Sequence, residues 1–376
     1  MRRLSAITIA FFAICWSMRG QERVVVAFWN TENLYDTIPS PFYDDSDYTP
    51  GGANGWNTER YRTKTANLAR VLDELDADIV GLAEVENEGV VRDLVTSLET
   101  DYNYIHLTSG DSRGIDLALL YKGDRFFPDE AATRLVGSGT GREFLHVEGE
   151  LIGGLPGAAS GGASSGASGG LFDGASSEAF GGLPGEHIHL IVCHMASNLN
   201  SDQYRRRNMS ALRRVLENLL AQDPAANIIV MGDMNGTPGE KVVRKTLGDL
   251  RSPWGFMYAP HYEQHLRGRG SYSYRGRWLL YDWMMVSPSI ARPNPENLTH
   301  PNPENLPRSN PENHRPTAPA SRRLKLDGAG IYAREYLTEP VSPGPASPRK
   351  PWRTFYGGDY LGGYSDHFPV WISLSN

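Results

Sequence analysis

Six groups of polar side chains stand at the ends of apolar runs, and their types suit metal-assisted hydrolysis. Asn30 and Glu32 follow Val24–Trp29, Glu84 and Glu86 follow Ile79–Ala83, and His194 follows Ile188–Cys193. Asp233 and Asn235 follow Ile228–Met231, Asp282 precedes Trp283–Val286, and Ser365-Asp366-His367 precedes Phe368-Pro369-Val370. Carboxylate oxygens such as those of Glu84 and Asp366 suit Mg2+, which takes a few acids and keeps several waters. A cation held there would neutralise phosphate charge and stabilise a leaving oxygen. Two histidines, each oriented by a carboxylate, would position or activate water and hold phosphate oxygens. Each piece alone has a plainer reading. Gly232 to Gly236 is an ordinary tight turn by composition, and a lone histidine after an apolar run is more often a satisfied core residue. The joint order along the chain points to phosphoester cleavage.

These residues need strands to carry them. Arg23 to Trp29 and Asp78 to Ala83 read as short buried strands, with further strands at Asp116–Tyr121, Phe144–Leu151, His187–Cys193, Asn227–Met231, Trp283–Val286 and Pro369–Leu374. Leu68, Val71, Leu72 and Leu75 fall on one helical face, and Met209, Leu212, Val215, Leu216 and Leu219 mark a second helix from about Tyr204 to Leu220. Many short strands with few helices favour stacked sheets covered by helices. Polar residues at strand ends then converge on one cleft.

The 376 residues carry a net charge of -7, 40% hydrophobic residues and 2 cysteines. That excludes a disulfide scaffold and a broadly basic nucleic-acid binder, though not an enzyme with a local basic strip. No Cys- or His-rich spacing marks structural zinc, and there is no Walker phosphate loop or Gly-x-Ser-x-Gly elbow. Residues 1–20 read as a signal peptide, with Arg2 and Arg3 before the apolar run Leu4 to Trp16. Its removal takes Arg2, Arg3 and Arg19 and lowers the charge from -7 to -10. Export without a stable membrane span is therefore expected. Residues 152–185, Gly/Ser/Ala-rich, and 291–320, with Pro-Asn-Pro-Glu-Asn at 293–297 and 301–305, read as flexible insertions in one domain spanning 21–376.

In order, Phe28-Trp29-Asn30-Thr31-Glu32-Asn33-Leu34, Asp78 to Glu86, Arg113 to Tyr121, Val192-Cys193-His194, Gly232-Asp233-Met234-Asn235, Tyr281-Asp282-Trp283 and Ser365-Asp366-His367-Phe368-Pro369 span 24–374. This series resembles the endonuclease/exonuclease/phosphatase superfamily, in a secreted bacterial-type form, whose fold is that of pancreatic deoxyribonuclease. The resemblance implies an α/β (α+β) fold, a four-layer α/β/β/α sandwich of two packed mixed sheets flanked by helices. It implies Glu84 as the metal-binding glutamate, Asn30 beside it in the metal site, and Asp366 as the second metal-side acid. Asp233 and Asn235 would handle water and the scissile phosphate, and His194 would face the phosphate with Asp116 orienting it. His367 would be the catalytic histidine, with Asp282 as its orienting carboxylate.

The cofactor expected is Mg2+, with Mn2+ or Ca2+ as substitutes, and the substrate a phosphodiester such as DNA or RNA on a monomeric enzyme. A phosphomonoesterase and a phospholipid or sphingomyelin-type phosphodiesterase stay open on the same scaffold. So does a catalytically silent binding protein, although the full set of acids and histidines speaks against it. Two stretches bear on the substrate. Tyr204-Arg205-Arg206-Arg207 with Arg213 and Arg214 reads either as a phosphate-binding strip or as a solvated helix face. Tyr272, Tyr274, Arg275 and Arg277 read as a stacking and gripping surface or as a plain hairpin.

Overall fold

A computed structural model describes residues 23–137, 139, 141–152, 185–292, 324–342 and 347–375. Two mixed sheets form its centre. The first has the order β12-β17-β1-β2-β4-β3, from β1 (Arg23–Leu34), β2 (Ile79–Val85), β3 (Asn103–Leu107), β4 (Asp116–Tyr121), β12 (Lys325–Ile331) and β17 (Val370–Ser375). The second has the order β11-β8-β7-β6-β5, from β5 (Phe126–Val136), β6 (Phe144–Leu151), β7 (Glu186–His194), β8 (Asn227–Asp233) and β11 (Asp282–Val286). One pair in each sheet is parallel, β1 with β2 and β7 with β8. Short ribbons β9 (Tyr272–Tyr274) with β10 (Arg277–Leu279), β13 (Thr338–Pro340) with β14 (Arg349–Pro351), and β15 (Phe355–Tyr356) with β16 (Asp359–Tyr360) decorate the sheet ends.

Strand periodicity sorts the core into three layers. Val26 and Phe28 of β1 face the inter-sheet layer with Val192, Met231 and Met284, while Ala27 and Trp29 face away. The outward side of the first sheet is covered by the helix Thr58–Leu75, through Leu68, Val71 and Leu72, and by the helix Glu88–Thr96, through Val90, Val91 and Leu94. The outward side of the second sheet packs Ile191, Cys193, Ile228 and Trp283 against the helix Asp202–Gln222, through Met209, Leu212 and Leu216. Helix, sheet, sheet, helix is the four-layer sandwich expected. At Gly81 an added Cβ would stand 2.7 Å from the sulfur of Met231, so this glycine lets the sheets approach.

Sequence patterning located most of the central strands within a few residues. It missed β3, β5 and β12, together with the helix Glu88–Thr96, whose apolar residues are sparse or interrupted. Residues 1–20 and almost all of the 152–185 and 291–320 stretches lie outside the described residues. Among the described residues no helix is long and apolar enough to cross a membrane. Cys193 is buried and free.

Candidate active site

The second sheet sets three of the predicted side chains in one row. His194 at the end of β7 is in register with Asp233 at the end of β8, which in turn pairs with Asp282 at the start of β11. The backbone locks the row beyond the strand ends. Met195 N–H donates to the Asp233 carbonyl at 2.8 Å, and Met234 N–H to the Tyr281 carbonyl at 2.8 Å. His367, on the segment leading into β17, reaches the row from the other sheet. Its Nδ1 lies 2.6 Å from Asp282 Oδ2, its Nε2 is 4.0 Å from Asp233 Oδ2, and its carbonyl accepts the indole N–H of Trp29 at 2.9 Å. Ser365 Oγ accepts the His367 amide N–H at 3.1 Å and donates to the Asn30 carbonyl at 2.7 Å, which joins this turn to β1.

The first sheet positions its residues by breaking its own regularity. The register of β1 shifts between Asn30 and Leu34, and that of β2 against β4 shifts between Ala83 and Val85. At these bulges Glu32, Asn33 and Glu84 take left-handed backbone, with φ of 54°, 52° and 64°. Such residues cost about 1–3 kcal/mol each and persist only where surroundings impose them. The surroundings here are Thr31, whose hydroxyl contacts the carbonyls of Ala83 and Glu84 at 2.9 and 3.0 Å, and Asn33 N–H, which donates to Glu84 Oε2 at 2.9 Å. The bulge turns Glu84 Oε1 toward the row, 3.5 Å from His194 Nε2. On the other sheet Asn235 has φ 45°, and its amide N–H donates to Asp233 Oδ1 at 2.8 Å.

Asn30 ties the two sheets together. Its Nδ2 donates to Glu84 Oε1 and to Asp233 Oδ2, both at 3.2 Å, while its Oδ1 accepts the Glu32 amide at 2.9 Å. Asn30 is thereby placed as a bridge between the two acids, one from each sheet. Asn235 Nδ2 likewise donates to Asp233 Oδ2, at 3.2 Å, and to the Met195 carbonyl, at 3.0 Å.

Burial and charge set the protonation pattern. Burial pushes the Asp233 carboxyl up to about 7, against the lowering charge of His367. Burial works against a charge on His367, but Asp282, Asp366 and Asp233 outweigh it and hold the imidazole well above its ordinary range. His194 goes the other way, pushed well below its ordinary range by burial and by the charges of Arg142, Arg113 and His367. The site thus holds one neutral and one cationic histidine near neutral pH.

Solvent access separates the acids. The side chains of Glu84 and Asp366 are 14% and 21% exposed, whereas those of Asp233 and Asp282 are 3% and 0%. Mg2+ keeps waters, so Glu84 and Asp366 fit it better than the sealed pair. Asp233, Asp282 and His367 also lie close enough to hold an ion. However, the 2.6 Å contact of His367 Nδ1 with Asp282 Oδ2 is a strong hydrogen bond and leaves no room for a metal between them.

A sequence profile of the Endonuclease/Exonuclease/phosphatase family matches residues 25–154 and 177–301. The chain belongs to the endonuclease/exonuclease/phosphatase family. The unmatched 155–176 falls inside the Gly/Ser-rich insertion, and the His367 segment lies past the matched range although the fold brings it to the row. Among solved structures, a humanized D. rerio TDP2 carrying 14 mutations is 15% identical, with 94% of this chain and 99% of that chain covered at a TM-score of 0.51. A family protein from Bacteroides thetaiotaomicron is 14% identical, covering 94% and 98% at 0.52. A mannosyl-6-phosphatase of the same species is 14% identical, covering 94% and 100% at 0.50. At such identities these likenesses show the shared fold. No curated protein matches this chain in sequence.

In this family of divalent-metal hydrolases acting on phosphoester bonds, one expected partnership does not form here. Asp116 contacts His106 Nε2 at 3.1 Å and accepts the Ser109 amide and hydroxyl at 2.8 and 2.7 Å, so its oxygens are occupied away from His194. The carboxylates nearest His194 are Glu84 and Asp233. The arginine strip also divides. Arg205 turns inward to Glu240 at 2.7 Å and to the Asn235 carbonyl at 2.9 Å, and Arg213 pairs with Glu217 at 2.7 Å. Tyr272 to Leu279 is the hairpin reading, β9 on β10, yet Tyr272 stacks on Tyr281 at 5.4 Å and its ring lies 4.8 Å from that of His367. Arg113 and Arg142, both held by Asp111, are the cations that the sequence reading gave no role.

Proposed function

We propose that this protein is an exported, Mg2+-dependent phosphodiesterase of nuclease type. The observation that carries the catalytic part is the row His194–Asp233–Asp282 closed by His367, with Glu84 on its open side. When bound, the cation supplies charge neutralisation at the phosphate and at the leaving oxygen, with Glu84 and the water-facing Asp366 as its acids. Asp233 accepts the proton of the attacking water, and a carboxyl raised to about 7 is well matched to that task. Asp282 fixes the ring of His367, whose cationic form stabilises charge on the phosphoryl group. Asn30 and Asn235 hold the accepting oxygen of Asp233 in place, and neutral His194 offers a donor to a non-bridging oxygen.

The diester preference is supported by the aromatic surface next to His367. The half-buried Tyr272 and Tyr281 stack on each other beside His367. A base would add to this stack on the side the two rings leave open, a contact worth about 1–3 kcal/mol per stacked base in strand-binding proteins. A D. rerio TDP2 of the same fold is described in complex with a single-strand DNA product. The mannosyl-6-phosphatase supports the second reading, a phosphomonoesterase. Hydrolysis of plasmid DNA, RNA, bis-p-nitrophenyl phosphate and p-nitrophenyl phosphate, each with Mg2+ and with EDTA, separates the readings. Nucleic-acid cleavage abolished by EDTA is expected. Turnover of the monoester alone would replace the reading with the phosphatase. The export reading rests on residues 1–20 and predicts a secreted or periplasmic product lacking them, which N-terminal sequencing of the fractionated protein would test.

A further inference from the structure

A second cluster of metal-ligand type lies on the outer face of the second sheet. His146 and Glu148 are two residues apart on β6 and share a face, and Glu148 is the direct cross-strand partner of His189 on β7. His189 shares its face with Ile191 and Cys193, which pack under the helix Asp202–Gln222. We propose that His146, Glu148 and His189 form a binding site for a late first-row divalent cation such as Zn2+, separate from the catalytic centre.

The geometry supports this. His146 Nε2 lies 3.2 Å from His189 Nδ1 and 3.8 Å from Glu148 Oε1, and His189 Nδ1 lies 3.7 Å from Glu148 Oε2. Bonds of 2.0–2.1 Å in a tetrahedral zinc site place neighbouring ligand atoms about 3.3 Å apart. The two imidazole nitrogens already stand near this spacing, and Glu148, whose two oxygens each face a different histidine, would turn one of them inward to complete the set. Two imidazoles and one carboxylate form a donor set that suits Zn2+ and leaves a fourth position. His187, with a side chain 56% exposed, stands at that rim, its ring 5.0 Å from His189 and its Nε2 4.0 Å from Glu148 Oε2.

His146 is buried, its Nδ1 has no hydrogen-bond partner among the described residues, and its polar contacts are those within the cluster. Glu148 is now balanced by Arg134 at 3.2 Å, a half-exposed side chain that also donates to the Ala132 carbonyl at 2.7 Å and would yield its carboxylate contact to an arriving cation. A cation here would clamp β6 to β7 across the pair Glu148 and His189. The signal is hidden in the sequence because His-x-Glu and His-x-His sit far apart and only strand pairing joins them.

The test uses the full chain, stripped of metal and titrated with Zn2+ calorimetrically at saturating Mg2+, beside His189→Asn and Glu148→Gln. Loss of a protein ligand should weaken Zn2+ binding at least about 100-fold in each variant, beyond the 10–100-fold cost of losing an outer-shell partner. Zn2+ should raise Tm for the parent chain alone, while Mg2+-dependent hydrolysis without Zn2+ stays unchanged in the variants. Circular dichroism verifies that each variant is folded. Equal Zn2+ affinity and stoichiometry in the parent and both variants would overturn the site, as would a Glu84→Gln chain, with the cluster intact, that binds no Zn2+.

Discussion

The second sheet carries its catalytic groups on an unbroken ladder, with His194, Asp233 and Asp282 still paired in register at the strand ends. The first sheet carries Asn30 and Glu84 on strands whose register slips, with Glu84 in left-handed backbone and Thr31 tying the bulges together. The difference divides labour. Groups that handle protons need fixed mutual distances, which a ladder provides. The acid on the cation side must turn out of the pleat toward solvent, which a bulge provides at a cost in local strain. Asn30 is the joint between the two, with one amide group bonded to an acid from each sheet.

Substitutions on each side should behave differently. Among the proton-handling groups, Asp233→Asn on the ladder and His367→Ala, at the residue facing it from the first sheet, should each lower kcat by about 10²- to 10⁴-fold, the usual contribution of acid–base groups. His367→Ala should also lower Tm, because it leaves the buried Asp282 carboxylate unpaired. Steady-state kinetics with thermal melts would show this, and near-normal turnover in either variant would undo the division. On the bulge side, Glu84→Gln should act mainly through the cation. The Mg2+ concentration giving half-maximal rate should rise by about 10-fold or more, with partial recovery in excess Mg2+. A Mg2+ titration of the initial rate tests this, and an unchanged midpoint would remove Glu84 from the metal side. The smallest effect is expected for Thr31→Val, which leaves two buried carbonyls without the hydroxyl. Urea unfolding should show a loss of about 1–3 kcal/mol, accompanied by a weaker Mg2+ response.

The same division explains what the sequence revealed. Ladder residues were legible because an apolar run followed by a polar residue is a simple pattern, as at Ile188–His194 and Ile228–Asp233. The helices over Leu68–Leu75 and Met209–Leu219 were legible through their periodicity. Bulge geometry was not, since Glu32 and Glu84 carry no mark of positive φ in their residue type. The contact of Asp116 with His106 was hidden because β3, with its half-buried residues, does not read as a strand. Arg205 looked like part of a basic strip because periodicity does not say which arginine turns inward to Glu240. The nearness of Tyr272 to His367 depends on a bridge between segments 95 residues apart in number, Tyr272 to His367, which no local pattern encodes.

The claim at the centre is that Asp282 keeps His367 cationic while Asp233 ionises near neutrality. The direct measurement is kcat/KM against pH for the parent chain and for Asp282→Asn, with the best substrate of the panel. The active form has Asp233 ionised and His367 protonated. The rate should therefore fall on the acid side through a pKa of about 7, and on the alkaline side through one well above the ordinary histidine value. Replacing Asp282 removes the nearest negative charge, so the alkaline limb should move to lower pH while the rate at the optimum drops. An alkaline limb that stays in place in Asp282→Asn would contradict the account.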